Sequence, residues 1–301
     1  MKKSLSILLA TILLLASATF LFGCSKEADY TLSIGTAITD AEDKISASAT
    51  VAAVVVDADG KIVLCRLDSV DVTTTVEDGA VKSTVADKTK YEKKDSYGMV
   101  EYGGAAKEWY EQAEFFESHV VGKTAEQVGA IKSGDAELKA GCTIDVTDFV
   151  KAITNAMKLE RKVSFTSVED MKLGLGLDGS VADSKGAAKF TFNTAAVVSV
   201  EGNTVAAITD SAEPTVTVAE DGKPESISYK GTKLEIGDGY GMVEYGGAEL
   251  EWYEQAQNYA NTAVGKATSS LSDLPVENVS GCTIAADPMK AVIVRAANNV
   301  R

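Results

Sequence analysis

The chain has 301 residues, with 29 Lys plus Arg against 44 Asp plus Glu, a formal charge of −15 at pH 7. Hydrophobic residues make up 45% and charged residues 24%, a globular composition that argues against a disordered chain. No cluster of Lys and Arg is present to meet a phosphate backbone, which argues against nucleic acid, and one His with four Cys leaves little for a zinc enzyme or a His-based triad.

The first segment reads as an address. Met1-Lys2-Lys3-Ser4 is a short basic start, and the apolar run 5–23 ends in Leu21-Phe22-Gly23-Cys24, the lipobox pattern of bacterial lipoprotein signals. A small residue admits the peptidase, and the Cys24 thiol accepts the lipid before cleavage. Residues 1–23 are expected to be removed, and the mature charge becomes −15 − 2 = −17 with the loss of Lys2 and Lys3. Several acyl chains on Cys24 would hold the protein to the cell membrane on its extracytoplasmic face. The alternative is an uncleaved membrane helix with an incidental Cys.

Length alone favours two units, and the rest of the chain is one pattern written twice. Residues 97–113 return as 240–256 with 15 of 17 positions identical, both copies opening Tyr-Gly-Met-Val-Glu-Tyr-Gly-Gly-Ala. At the same offset Ala52-Ala53-Val54-Val55 matches Ala195-Ala196-Val197-Val198, and Val121-Gly122-Lys123 matches Val264-Gly265-Lys266. A period this long is a domain rather than a solenoid repeat. The division expected is 24–165 and 166–301.

Within each unit strands come first and helices second, which predicts α+β: two tandem homologous domains, each an antiparallel sheet with a central and a C-terminal helix. Residues 51–56 and 62–67 are β-branched and apolar around Asp57-Ala58-Asp59-Gly60-Lys61, a hairpin turn. The resemblance of that turn to the start of a calcium loop lacks the later ligands. Cys65 lies in the second of these strands as a small apolar residue. A second hairpin is expected around Glu77-Asp78-Gly79. The helix after Gly103-Gly104 carries Trp109, Ala113, Phe116 and Val120 as one stripe, with Trp252, Ala256, Tyr259 and Ala263 as its counterpart. Glu111-Gln112 and Glu254-Gln255 are expected on the solvated faces of these helices. A last helix shows Phe149, Ile153 and Met157, and in the second unit Asp287-Pro288 predicts a capped start.

Just upstream of each last helix stands Gly141-Cys142-Thr143-Ile144 or Gly281-Cys282-Thr283-Ile284, the latter preceded by Ser280. This segment resembles the Ser-Gly-Ala-Thr signature of FMN-binding domains, found in flavin subunits of ion-pumping reductases and in extracellular flavin-carrying lipoproteins. The resemblance implies FMN attached by a phosphodiester to the closing Thr, installed by a magnesium-dependent flavin transferase, and electron exchange with a membrane redox partner. Carried over by position, the acceptors are Thr283 and, less closely, Thr143, with Ser280, Gly281, Cys282, Gly141 and Cys142 around them. Cys142 and Cys282 replace the family's usual Ala, and Ala140 replaces the Ser in the first unit. A helix start with free amides suits a phosphate, and the tyrosines of the repeated loop offer rings for stacking.

No hydrolytic constellation, catalytic residue or metal site is read from the sequence, so an electron carrier or binding protein is expected rather than a substrate-converting enzyme. Gly-Cys-Thr also fits a plain strand-to-helix entry in which Cys fills a small hole and Thr caps. The rival reading is accordingly a redox-silent surface binding or scaffold lipoprotein that keeps the fold without cofactor, with lipid-anchored solute capture behind it. His119 is replaced by Thr262 in the second unit and cannot serve chemistry common to both.

Overall fold

The computed structural model describes residues 28–41, 43–167 and 170–301; the leader 1–23 and Cys24 lie outside the described residues. In the first half, β1 (Ala28–Ala41), β2 (Lys44–Asp57) and β3 (Ile62–Thr73) are followed by the short strands β4 (Val76–Glu77), β5 (Ala80–Val81) and β6 (Thr84–Val85). Helices α1 (Lys90–Lys93), α2 (Trp109–Val120), α3 (Ala125–Gly129) and α4 (Thr147–Lys158) come next. After β7 (Val163–Ser167) the same order returns with β8 (Lys172–Ser184), β9 (Ala187–Val200), β10 (Asn203–Ala212), β11 (Thr215–Val218) and β12 (Pro224–Ser228). Helices α5 (Lys233–Ile236), α6 (Trp252–Asn261) and α7 (Asp287–Asn298) close the chain. The molecule is thus mixed α+β with antiparallel sheets.

β1, β2 and β3 form an antiparallel meander, and β7 pairs with the free edge of β1. The predicted turn at residues 57–61 is present: Asp57 Oδ1 accepts from the amides of Asp59 (3.0 Å) and Lys61 (2.9 Å). The second predicted hairpin is shorter than expected, since β4 pairs with β5 over two residues only. Its continuation is drawn away by β8: β6 pairs with β8, the Ala86 amide donates to Gly179 O, and the Val81 amide donates to Asp183 Oδ1. Each sheet therefore receives a short strand from beyond its own meander. The boundary expected at 165/166 falls inside β7, which hydrogen-bonds to the first sheet.

β2 explains the layering. Residues 51–56 are apolar and buried without a break, the pattern of a strand covered on both faces. Ala52, Val54 and Val56 join a cluster with Phe116, Phe149 and Ile153 of α2 and α4. Val51, Ala53 and Val55 face the other way and share a core with Leu173, Leu175, Phe190 and Phe192 of the second sheet. The period of two thus sorts one strand between a helix layer and a sheet layer. α4 packs on β1 and β2, while α7 packs on β8 and β9, giving helix, sheet, sheet, helix. The helices lie close because glycine faces them: a Cβ on Gly35 would strike the backbone of Ala152 and Ala156, and one on Gly176 the backbone of Val292 and Ala296.

Polar contacts also cross between the halves. Arg66 Nε of β3 donates to Leu173 O of β8 (3.1 Å), and its Nη1 lies 3.4 Å from the buried Glu117 carboxylate of α2. Arg301 Nη2 donates to the other oxygen of Glu117 (2.7 Å), and its guanidinium lies 3.9 Å from the Tyr91 ring centroid. Burial pushes the Glu117 carboxyl up, against the pull of Arg301 and Arg66.

Candidate functional site

The predicted stripes are buried: Trp109, Ala113, Phe116 and Val120 on α2, and Trp252, Ala256 and Tyr259 on α6, with Ala263 buried in the turn just past its end. Gln112 and Gln255 share the buried side of those helices, 1% and 2% exposed, which corrects their expected solvated placement. Helical spacing accounts for this, since each Gln stands three residues after the stripe's Trp.

These glutamines hold the signature segments. Gln112 Oε1 accepts from the Thr143 amide (2.8 Å), the Thr143 hydroxyl (3.2 Å) and the Ile144 amide (3.2 Å). Gln255 Oε1 accepts from the Thr283 amide (2.8 Å), the Thr283 hydroxyl (3.0 Å) and the Ile284 amide (3.2 Å). The Gln Nε2 atoms donate to Lys107 O and Leu250 O, so one carboxamide ties the segment before the helix to the segment it cradles. Thr143 and Thr283 remain solvent-exposed, as does Ser280. Cys142 is buried and Cys282 half-buried; both are free thiols, as is Cys65. Burial pushes the Cys142 thiol up to about 11 and raises that of Cys282, which leaves both protonated and poorly nucleophilic at neutral pH. Neither Gly is replaceable: a Cβ on Gly141 would enter the Phe115 ring, and Gly281 sits at φ +68° against the Asn258 amide.

The repeated loop is a folded turn. Glu108 accepts from the amides of Met99 (2.9 Å) and Val100 (3.0 Å), and Glu251 accepts from those of Met242 (2.9 Å) and Val243 (3.0 Å). Gly98 and Gly241 have φ of +80° and +78°, with the Tyr102 and Tyr245 rings lying where a side chain would stand. Those two rings are 82% and 81% exposed.

The helix starts differ. In the first half Asp145 Oδ1 accepts from the Thr147 amide (2.8 Å) and the Ser133 hydroxyl (2.7 Å), and its carboxyl is held low by its hydrogen bonds to Thr147. Ala285 stands at that place in the second half. The expected Asp cap is corrected: Asp287 is the first helical residue, the cap position is Ala286 with no side-chain cap, and Pro288 follows in the first turn. The first amides of α7 thus have no side-chain acceptor.

Beside this open start lies a cavity of about 480 Å³, reached by Ile284, Ala285 and Pro288. Tyr240, Met242, Trp252 and Met289 give it an apolar, aromatic wall. The polar side holds Ser211, Glu213 and Lys233. Lys233 Nζ lies 2.8 Å from Glu213 Oε1 and 5.0 Å from the centroid of Trp252, while Lys189 Nζ lies 2.9 Å from Glu213 Oε2. Facing lysines hold the Glu213 carboxyl below its ordinary value although burial opposes them.

Next to Ser211, the Asp210 carboxyl is fully buried and pushed up to about 7 by that burial, against hydrogen bonds from the Ser211 and Leu234 amides. Asp68 stands in the same place in β3, also raised by burial to about 7. Each carboxylate pins the first turn of a short helix, α1 or α5, and with it Lys90 or Lys233.

The fold therefore sets Thr283 next to Ile284 at the rim of a cavity, and brings to it three residues the sequence did not single out: Lys233, Glu213 and Ser211. Lys233 has a signal in the repeat, since it stands at the repeat offset from Lys90, and the two pair alike in the fold: Lys90 with Asp71 (3.2 Å) and Lys233 with Glu213 (2.8 Å). Among the described residues no helix is long and apolar enough to cross a membrane. No protein-family model matches the chain, and no match was found among curated proteins or solved structures.

Proposed function

We propose that the chain is a membrane-anchored extracytoplasmic flavin protein serving electron transfer, built of tandem copies of one unit and carrying FMN on Thr283. The observation behind this reading is the placement of Thr283: an exposed residue whose hydroxyl is oriented by Gln255, one position before the residue that enters the cavity. The residues fit the group. At the start of α7 the Asp287 and Met289 amides have no side-chain acceptor and could meet a phosphate, with Pro288 offering no N–H and the Asp287 carboxylate opposing it, and an aromatic cavity of about 480 Å³ falls within the range that encloses small ligands. FMN supplies reversible electron uptake when bound. The chain's part is to fix the attachment oxygen through Gln255, to set helix amides beside it, and to exclude water with Trp252 and Met289.

The surroundings of Thr143 support the redox-silent reading for the first half, since Asp145 already takes the first amide of α4, that of Thr147. The lipid on Cys24 would keep the flavin near a membrane reductase, and a magnesium-dependent flavin transferase would load it.

The test is co-expression with a flavin transferase, followed by denaturing electrophoresis. Fluorescence should migrate with the polypeptide, persist in Thr143→Ala and vanish in Thr283→Ala. A colourless product defeats the proposal; colour that washes out on denaturation replaces the covalent bond with non-covalent binding.

A further inference from the structure

The two halves carry the same sheet positions and the same loop, so residue-by-residue differences between them isolate what is special about the cavity. In β2 and β3 of the first half, the Thr50 hydroxyl donates to Ser69 Oγ at 3.2 Å. In the second half the place of Thr50 is taken by Asn193, whose amide is drawn to Asp178 Oδ1 at 3.1 Å. Ser211, the counterpart of Ser69, is left 2% exposed on the cavity wall with its hydroxyl unpaired. A buried hydroxyl without a partner costs free energy that a suitable ligand atom would recover.

Three further changes point the same way. Phe149 lies edge-on to Trp109 at 5.6 Å in the first half, whereas the slimmer Met289 lines the cavity beside Trp252. Ser46 becomes Lys189, which adds a second ammonium to the Lys233–Glu213 pair and leaves that group with a net charge of +1. Asp145 and Asp148 become Ala285 and Pro288 while Thr147 becomes Asp287, so two carboxylates leave the helix start and one arrives. A pocket with an aromatic wall, its one carboxylate paired by two lysines, is thereby built into a chain of net charge −15.

We infer that this cavity recognises a planar heteroaromatic ring bearing hydrogen-bond acceptors along one edge, with Lys233 and Ser211 as its donors, and that the first half is a closed copy of the same site. The identity of the ring rests on the flavin reading of Thr283, but recognition in the cavity does not require the covalent bond. Tyr240, Trp252 and Met289 contact the ring faces, and the net charge of the Lys189–Glu213–Lys233 group favours acceptors that carry negative charge. Lys233 is a specificity-determining residue on this view.

The test uses the full chain with Thr283→Ala and riboflavin as the probe, which has the ring but no phosphate. Binding should quench riboflavin fluorescence through the neighbouring Trp252 and Tyr240. Met289→Phe, which restores the first-half side chain, and Lys233→Met should each weaken binding about tenfold or more, as expected for a filled pocket and a lost charged hydrogen bond. Lys233→Arg should recover part of the loss, and thermal melts separate binding defects from misfolding. Riboflavin that stays unquenched, or an affinity indifferent to both Met289→Phe and Lys233→Met in folded protein, overturns the inference. The two readings fail separately. A polypeptide labelled at Thr283 whose ring remains fully fluorescent and indifferent to Met289→Phe sinks the cavity and keeps the attachment. An unlabelled polypeptide that quenches riboflavin in a Met289-dependent way does the reverse.

Discussion

In the first half the space between sheet and closing helix is filled by the chain itself: Phe149 leans on Trp109, Thr50 satisfies Ser69, and Asp145 accepts from the first helix amide. In the second half Met289, Asn193 and Ala285 stand at those places, and a cavity, an unpaired Ser211 and free helix amides result. The glutamine cradle, by contrast, is the same in both, to within 0.2 Å at every hydrogen bond to the Thr hydroxyl and amides. The difference teaches that the Gly-Cys-Thr segment with its Gln is a structural device shared by the halves. Chemistry, where it exists, depends on what surrounds the device.

The largest expected effect concerns the buried carboxyls the halves have in common. Asp68 and Asp210 have folded pKa values raised to about 7 from an ordinary 3.8, so the folded state holds protons that the unfolded chain has released. Stability should therefore be greatest below pH 4 with respect to these groups and fall as pH rises through 4 to 7, on the order of 4 kcal/mol per carboxyl at about 1.4 kcal/mol per pKa unit. Asp68→Asn with Asp210→Asn should flatten that slope in urea titrations across pH. Unequal contributions from the two single variants would break the equivalence of the halves.

Next come the glycines beneath the closing helices. Gly35→Ala and Gly176→Ala should each cost about 3 kcal/mol or more, because the obstructing atoms are backbone. Since Val51, Ala53 and Val55 share a core with the second sheet, either variant should lower one common unfolding transition. Two separate transitions would show the halves to be independent.

Gln112→Ala and Gln255→Ala should each cost about 2 kcal/mol, since three donors lose their acceptor. Only Gln255→Ala should also reduce flavin attachment, read by in-gel fluorescence. Equal stability losses with unequal labelling would sharpen the contrast between device and site. Smallest of all, Tyr102→Ser and Tyr245→Ser remove exposed rings and should change stability by no more than about 0.5 kcal/mol.

Much of the fold was legible because its signals are local. The turn at 57–61, the stripes of α2 and α6, and the apolar spacing of α4 follow from period and turn chemistry alone. The packing of sheet on sheet was not read, although the unbroken run Val51-Ala52-Ala53-Val54-Val55-Val56 carries its mark: a strand with one wet face would alternate. Gln112 shows position prevailing over polarity: its place three residues after Trp109 sets it on the buried side. Asp287 stands one residue inside the helix rather than at its cap, because Ala286 takes the cap position. The cavity was beyond reach, since it arises from β9, β10, α5 and α7 meeting, and none of those contacts is local in sequence.

The shared core has a consequence for biosynthesis. After β7 has been made, the inner face formed by Leu32, Ile34, Val51 and Val55 has no cover until β8, β9 and β10, which end at Ala212, supply the second sheet. For a chain translated without its leader, at 5–20 residues per second that wait lasts on the order of 2–9 s, ample for two nascent chains to meet. Because one half resembles the other, the natural wrong partner is a sister molecule, and ribosome-bound chains stopped at residue 167 are predicted to cross-link to each other whereas those extended beyond residue 301 are not.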